Sequence, residues 1–110
     1  MEITKEKKGD IVVLHIDGKV NVTSTPQLMT ELQNLIEDGT NFILLDLEKV
    51  AFLSSSGIGT IAATFNDLKE RDGALKLAGL SSELLHVFEI TGLNKRIQIL
   101  KTVEEGLSSF

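Results

Sequence analysis

Two periodicities alternate along this chain. Ile11-Val12-Val13-Leu14-His15-Ile16 and Phe42-Ile43-Leu44-Leu45-Asp46-Leu47 are short, nearly continuous apolar runs, which predict buried strands. Phe42–Leu47 is the more continuous, so it is expected to be central and covered on both faces. Between and after them the apolar residues recur at helical spacing: Leu28, Leu32, Leu35 and Ile36, then Ile58, Ile61, Ala62, Phe65 and Leu68. Thr25-Pro26 reads as N-cap and first helical residue of the first helix, and Gly39 as its stop. The second helix is expected to run to about Arg71.

Residues 2–7 alternate weakly and predict an edge strand. Lys8-Gly9-Asp10 turns it into a hairpin with the Ile11 run. Asp17-Gly18-Lys19 reads as a break and Val20 to Ser24 as a polar loop. Ala74–Ala78 predicts another strand. Ser81 or Ser82 caps a third helix that buries Leu84, Leu85 and Phe88 and stops at Gly92. Ile97–Leu100 predicts a last strand, and Thr102-Val103-Glu104-Glu105 has the capping-box spacing of a final short helix. Strand–helix–strand units want parallel strands joined by right-handed crossovers. The expectation is one α/β domain over 1–110. Its mixed sheet would have roughly four to five strands with a parallel centre, and about four helices packed on it.

Composition narrows the function. Hydrophobic residues make up 42% and charged residues 25%, ordinary for a globular chain of 110 residues with one core. The 16 acidic and 11 basic residues leave a charge of −5, and there is no Trp or Tyr. Both features argue against nucleic acid as a partner, which calls for a basic patch or aromatic stacking platforms. The absence of cysteine removes disulfides, thiolate catalysis and Cys-based zinc sites. Met1 to Lys8 lacks the apolar core of a secretion signal, and no apolar run approaches the roughly 20 residues that cross a bilayer. A cytoplasmic location without membrane insertion is the expectation.

One stretch concentrates the candidate chemistry: Phe52-Leu53-Ser54-Ser55-Ser56-Gly57-Ile58-Gly59-Thr60, between the central strand and the second helix. Backbone N–H groups there are unpaired and the helix dipole is positive, so a hydroxyl can cap and a phosphate is tolerated. One reading is purely structural: Ser54, Ser55 or Ser56 caps the helix. The other is a phosphorylation switch, because a phosphate adds about −1.5 to −2 charges on a docking surface without unfolding the domain. Gly57-Ile58-Gly59-Thr60-Ile61-Ala62 also matches a dinucleotide fingerprint, but no acidic residue ends the next strand to hold a ribose. The glycines are otherwise read as permitting a tight turn and close helix–sheet packing. A nucleophile elbow fails because Leu53 stands where Gly is needed two residues before Ser55. His15 and His86 are read as half-buried or surface residues, and Asp46 as facing a strand end or the serine loop. No cofactor and no metal is expected, and no acid–base pair is assigned.

Taken together, Asp17-Gly18-Lys19-Val20-Asn21, Leu44-Leu45-Asp46-Leu47, Phe52 to Gly59, Ala78-Gly79-Leu80-Ser81, Phe88-Glu89-Ile90-Thr91-Gly92-Leu93 and Thr102-Val103-Glu104-Glu105 make the chain resemble a STAS domain. The type is that of the bacterial anti-sigma factor antagonists, over essentially the whole length. The resemblance implies a ligand and substrate, not an enzyme. The unphosphorylated protein would bind an anti-sigma factor that is also a GHKL-type serine kinase, releasing the sigma factor. Phosphorylation would dissociate the pair, and a PP2C-type phosphatase would reset it. Laid on this chain, the family's acceptor serine is Ser55, with Ser54 as the alternative. Asn21, Thr23, Ser54, Ser56, Gly57 and Ile58 would form the partner-binding surface. Ser54 and Asn21 stand where the family has Asp, so two negative charges are missing there. Two other functions compete: a STAS subunit of a phospholipid-trafficking ABC transporter or other assembly unrelated to sigma factors, and a nucleotide-binding domain using the glycine turn.

Overall fold

The computed structural model describes residues 1–110. In chain order the elements are β1 Glu2–Lys8, β2 Ile11–Val20, α1 Thr25–Glu37, β3 Phe42–Leu53, α2 Ser55–Glu70, β4 Ala74–Ala78, α3 Ser82–Ile90, a 3-10 turn Leu93–Lys95, β5 Ile99–Leu100 and α4 Val103–Ser108. The strands form one five-stranded sheet in the order β1-β2-β3-β4-β5. β1 is antiparallel to β2 and the other pairs are parallel, giving the expected mixed sheet with a parallel centre. No helix is long and apolar enough to cross a membrane.

Spatial neighbours are sequence neighbours, and right-handed crossovers in such an order all return over the same face. Accordingly one face of the sheet carries Leu14, Ile43, Leu45, Leu75 and Leu77, sealed by Leu28 and Leu32 of α1, Ile61 and Leu68 of α2, and Phe88 of α3. The opposite face is covered only in part. There Val13, Leu44 and Ala78 pack under Val103 and Leu107 of α4. Ile43, Leu44 and Leu45 are fully buried, so β3 is sealed on both faces as its continuous apolar run predicts.

Several local expectations change. Asp17-Gly18-Lys19 does not break β2. The ladder to β3 continues to Val20↔Leu53, with register shifts between His15 and Asp17 and between Gly18 and Lys19. At both shifts the extra residue lies in β3, between Asp46 and Lys49 and between Val50 and Phe52, so β3 bulges opposite the turn-forming residues and the pairing carries through them. β3 therefore extends to Leu53, well past Leu47. Thr25 is not an N-cap but the first helical residue of α1, because the turn before it is already closed by Asn21. The last strand shrinks to Ile99–Leu100, and Leu85 is exposed while Leu84 and Phe88 are buried. On α2 the buried stripe is Gly57, Thr60, Ile61, Thr64 and Leu68, with Ile58 and Phe65 at its half-buried margin. The threonine hydroxyls escape isolation by donating back one turn, Thr60 to Ser56 O at 3.0 Å and Thr64 to Thr60 O at 2.8 Å.

Asp46 faces neither a strand end nor the serine loop. It lies in mid-strand on the half of the sheet that α4 leaves open, beside His15. His15 Nδ1 is 2.6 Å from Asp46 Oδ2 and Nε2 is 2.9 Å from Glu6 Oε1, so one imidazole bridges β1, β2 and β3. A neutral ring has a single N–H and would satisfy one carboxylate; the imidazolium satisfies both. Burial pulls the His15 pKa down, but the hydrogen bonds and charges of Glu6 and Asp46 outweigh it and hold the net value above the ordinary one. Glu6 is held low by its hydrogen bonds to His15 and Lys8. Lys8 Nζ lies 3.2 Å from its carboxylate.

Two predictions follow from this packing. Gly73 joins α2 to β4, and a Cβ there would stand 2.1 Å from Asn41 O and 3.1 Å from Leu68 O, both backbone atoms that cannot step aside. Gly73→Ala is expected to cost about 2–3 kcal/mol in urea unfolding, the scale of a forced backbone shift. The second concerns pH. A raised His15 pKa stabilises fully below the ordinary value near 6.5, and the contribution fades as pH rises through the raised value. The depressed Glu6 adds stability above the ordinary carboxylate range that is lost as pH falls through its lowered value. Between about pH 6 and about pH 9 the wild type should lose more melting temperature than His15→Gln, the two curves converging at the alkaline end. A constant offset across that range would refute the bridge.

Candidate functional site

β3 leaves the core within a single step. Leu53 is buried, Ser54 is 8% exposed and extended (φ −72°, ψ 165°), and Ser55 is exposed. The Ser54 N–H still donates to Val20 O at 2.8 Å, as the last rung of the ladder. Its carbonyl accepts the Ile58 N–H at 2.9 Å as the first helical bond of α2. Its Oγ accepts the Gly57 N–H at 3.2 Å. Ser54 is thus the N-cap, and strand converts to helix with no intervening loop.

Both glycines of the fingerprint lie inside α2, so they form no turn. A Cβ on Gly57 would meet Leu53 Cδ1 at 2.8 Å and Val20 Cγ1 at 2.9 Å, whereas Gly59 faces open space. Gly57 lets the helix start press onto the ends of β2 and β3. Buried as it is, it offers no side of its own to a partner. The strand order also never reverses, so the sheet has no switch point of the kind where doubly wound folds hold nucleotides.

The connection from β2 to α1 arrives alongside. Asn21 Oδ1 accepts the Ser24 N–H at 2.9 Å, and Ser24 Oγ accepts the Asn21 N–H at 2.9 Å while donating to Lys19 O at 2.8 Å. This reciprocal pair closes the turn that leads into α1, whose N-cap residue, Ser24, makes no side-chain cap bond to the helix. Thr25 then donates twice to the Asn21 carbonyl, from N–H at 2.9 Å and from Oγ1 at 2.7 Å. From the other side its Oγ1 lies 3.1 Å from Ser56 Oγ and 3.4 Å from Ser54 Oγ, and those two hydroxyls are 2.9 Å apart. Three hydroxyls therefore fasten the start of α1 to the start of α2. Ser55 takes no part in this cluster and is exposed.

Six sequence-predicted positions, Asn21, Thr23, Ser54, Ser55, Ser56 and Gly57, come together at the C-terminal end of β2 and β3, with half-buried Ile58 behind them. Asn21 and Thr23 are exposed, yet the Asn21 carbonyl and Oδ1 are both engaged in capping. Sequence reasoning missed Thr25, the buried link between the two halves. It also missed two exposed apolar side chains, Val22 at 75% and Phe52 at 49%, one beside each serine-bearing turn. An apolar Val in an otherwise polar loop was the available signal. α2 carries no acidic residue in its first turn, so the positive end of its dipole meets solvent uncompensated beside Ser55. Neither histidine reaches this site: His15 is held by Asp46 and Glu6, and His86 lies on α3 beside Glu89. No three acidic or histidine side chains converge as a metal set.

Comparison with known proteins agrees with this architecture. An anti-sigma-B factor antagonist of Bacillus subtilis is 37% identical over 103 residues, covering 94% of this chain and 93% of its own. One from Listeria monocytogenes is 33% identical over 101 residues, covering 91% of this chain and 87% of its own. Among solved structures, an anti-sigma factor antagonist from Mycobacterium paratuberculosis superimposes with a TM-score of 0.91 at 21% identity, covering 98% of this chain and 92% of that one. The Bacillus cell fate determinant SpoIIAA in its phosphorylated form does so with a TM-score of 0.78 at 23% identity, over 98% of each chain. At such identities these two likenesses speak for the fold alone. Residues 2–106 match the family described as the STAS domain, and with that span, this fold and these relatives the chain belongs to the STAS domain family.

Proposed function

We propose that this protein is an anti-sigma factor antagonist controlled by phosphorylation of Ser55. The observation that carries the reading is the division of labour among three adjacent serines. Ser54 and Ser56 are bound into the hydroxyl cluster, and Ser55 alone presents a free hydroxyl at the apex of the strand–helix turn. The curated relatives named anti-sigma-B factor antagonists support the antagonist role. Ser54, the alternative acceptor, is 8% exposed and occupied as the helix cap, so a kinase would have to unpick the turn to reach it.

In this reading the unphosphorylated surface docks on the anti-sigma factor through Asn21, Thr23, Ser56 and Ile58, with Val22 and Phe52 as its apolar contacts. Binding displaces the sigma factor. The partner is a GHKL-type serine kinase holding ATP. Ser55 Oγ attacks the γ-phosphorus, the bond from γ-phosphorus to the bridging oxygen breaks, ADP leaves, and the hydroxyl proton passes to a base on the kinase. The new phosphate adds about −1.5 to −2 charges, and the uncompensated N-terminus of α2 tolerates it. The domain stays folded while the docking face becomes costly to desolvate, and the complex separates. A PP2C-type phosphatase hydrolyses the ester and restores the surface. This chain is ligand and substrate in that cycle, acting in the cytoplasm, and the kinase supplies the catalysis.

The test mixes the protein with a GHKL-type anti-sigma kinase encoded in the same genome and ATP, and maps phosphate by peptide mass spectrometry. Phosphate is expected on Ser55 in the wild type and in Ser54→Ala, and absent from Ser55→Ala. Ser55→Asp should weaken kinase binding at least tenfold, or about 1.4 kcal/mol, with a melting temperature close to wild type. A stable complex with a transporter ATPase that ignores ATP-dependent phosphorylation, and no complex with any anti-sigma kinase, would overturn the assignment.

A further inference from the structure

Thr25 is nearly inaccessible at 4% exposure, yet its hydroxyl is the only link between the hydrogen bonds of the β2–α1 connection and those of the serine turn. Its proton is committed to the Asn21 carbonyl at 2.7 Å, so toward the serines Thr25 Oγ1 acts as an acceptor. The shortest consistent arrangement is directional. Ser54 donates to Ser56 at 2.9 Å, Ser56 donates to Thr25 at 3.1 Å, and Ser54 accepts from Gly57 N–H at 3.2 Å. Every hydroxyl proton in the cluster is then used inside it. Ser56 belongs to an exposed residue that would otherwise turn its hydroxyl to water beside Ser55.

We propose that Thr25 is a positioning residue that selects Ser55 as the single phosphate acceptor, by holding the Ser56 hydroxyl inward. This rests on the reading of the chain as a phosphorylated antagonist. Ser55 and Ser56 are adjacent on the first turn of α2, and a kinase that reaches one backbone position reaches the next. What separates them is hydrogen bonding. The Ser55 lone pairs are free to attack the γ-phosphorus of a nucleoside triphosphate. The Ser56 hydroxyl instead accepts from Ser54 and gives its proton to Thr25, which together hold its rotamer inward. Removing the Thr25 acceptor leaves Ser56 with one partner instead of two and frees its rotamer.

The experiment is site-resolved phosphopeptide mass spectrometry on Thr25→Val, Thr25→Ser and the wild type, each with the anti-sigma kinase and ATP. Valine keeps the shape and deletes the hydroxyl, whereas serine keeps the hydroxyl. The ratio of Ser56 to Ser55 phosphate should rise about fivefold in Thr25→Val, the factor that one lost hydrogen bond is worth, and return to wild type in Thr25→Ser. Far-UV circular dichroism checks that each variant is folded. If valine unfolds the domain, Thr25→Ala takes its place. Phosphate confined to Ser55 in a folded variant lacking the hydroxyl would overturn the selection role while leaving the switch intact. A wild type that accepts no phosphate would overturn both. A purely structural role would lower stability without redistributing phosphate between adjacent serines.

Discussion

The rest of this structure depends on a central strand that is sealed on both faces and must still reach the surface. Ile43, Leu44, Leu45 and Leu47 of β3 are inaccessible to solvent, with α1, α2 and α3 on one side and α4 on the other. A buried strand cannot end in an unpaired backbone, because each orphaned N–H or C=O loses its water. β3 ends without one. The Ser54 N–H closes the ladder to β2 and the Ser54 carbonyl opens the ladder of α2. One residue completes both hydrogen-bonding patterns, and the next, Ser55, opens α2 with an exposed side chain. The site is where the core runs out.

The same constraint explains why two loops meet there. Strand order follows sequence order, so successive crossovers lie on one face and their helices begin at the same end of the sheet. α1 and α2 start side by side, and each start needs acceptors for its free N–H groups. The backbone carbonyls of Asn21 and Ser24 take the first N–H groups of α1, Ser54 Oγ takes that of Gly57 in α2, and Thr25 joins the two sets. All of these groups are neutral, so capping is achieved without the negative charge that an Asp would bring. The result is a surface of capped helix ends, small hydroxyls and a few apolar side chains. In the proposed switch a partner covers this surface, and a single added phosphate changes its character.

The open half of the opposite face follows another logic. α4 is only six residues long and cannot span the sheet. The strip over β1, β2 and β3 stays polar, and His15 ties it together through Glu6 and Asp46. Near the other end, Lys76 is held by Ser109, with its ammonium 2.6 Å from the Ser109 carbonyl and 4.6 Å from the centre of the Phe110 ring. Burial pushes its pKa down. These contacts anchor α4 and the residues after it to β4. Neither cluster reaches the serine turn.

Most of the architecture was legible in the chain because it rests on local patterns. Apolar runs marked the strands, helical spacing marked α1 to α3, and Ser81 and Thr102 cap their helices as read, accepting from Leu84 N–H and Glu105 N–H. The serine turn was legible for the same reason, since a strand pattern gave way to a helix pattern across it. What the chain could not display were decisions between distant residues. Asp17-Gly18-Lys19 looks like a stop, yet pairing carries through it because β3 takes up the mismatch with an extra residue at each register shift. Thr25 looks like a cap, yet Asn21 has already closed the turn and the Thr25 hydroxyl serves a serine 31 positions away. Asp46 reads as facing a strand end or the serine loop, yet register sets it in mid-strand against His15. Sequence alone determined which segments are strand and helix and where a hydroxyl-rich turn would fall. Only the tertiary structure decided which of three adjacent serines is free, because that depends on where the protons of Thr25 and its neighbours go.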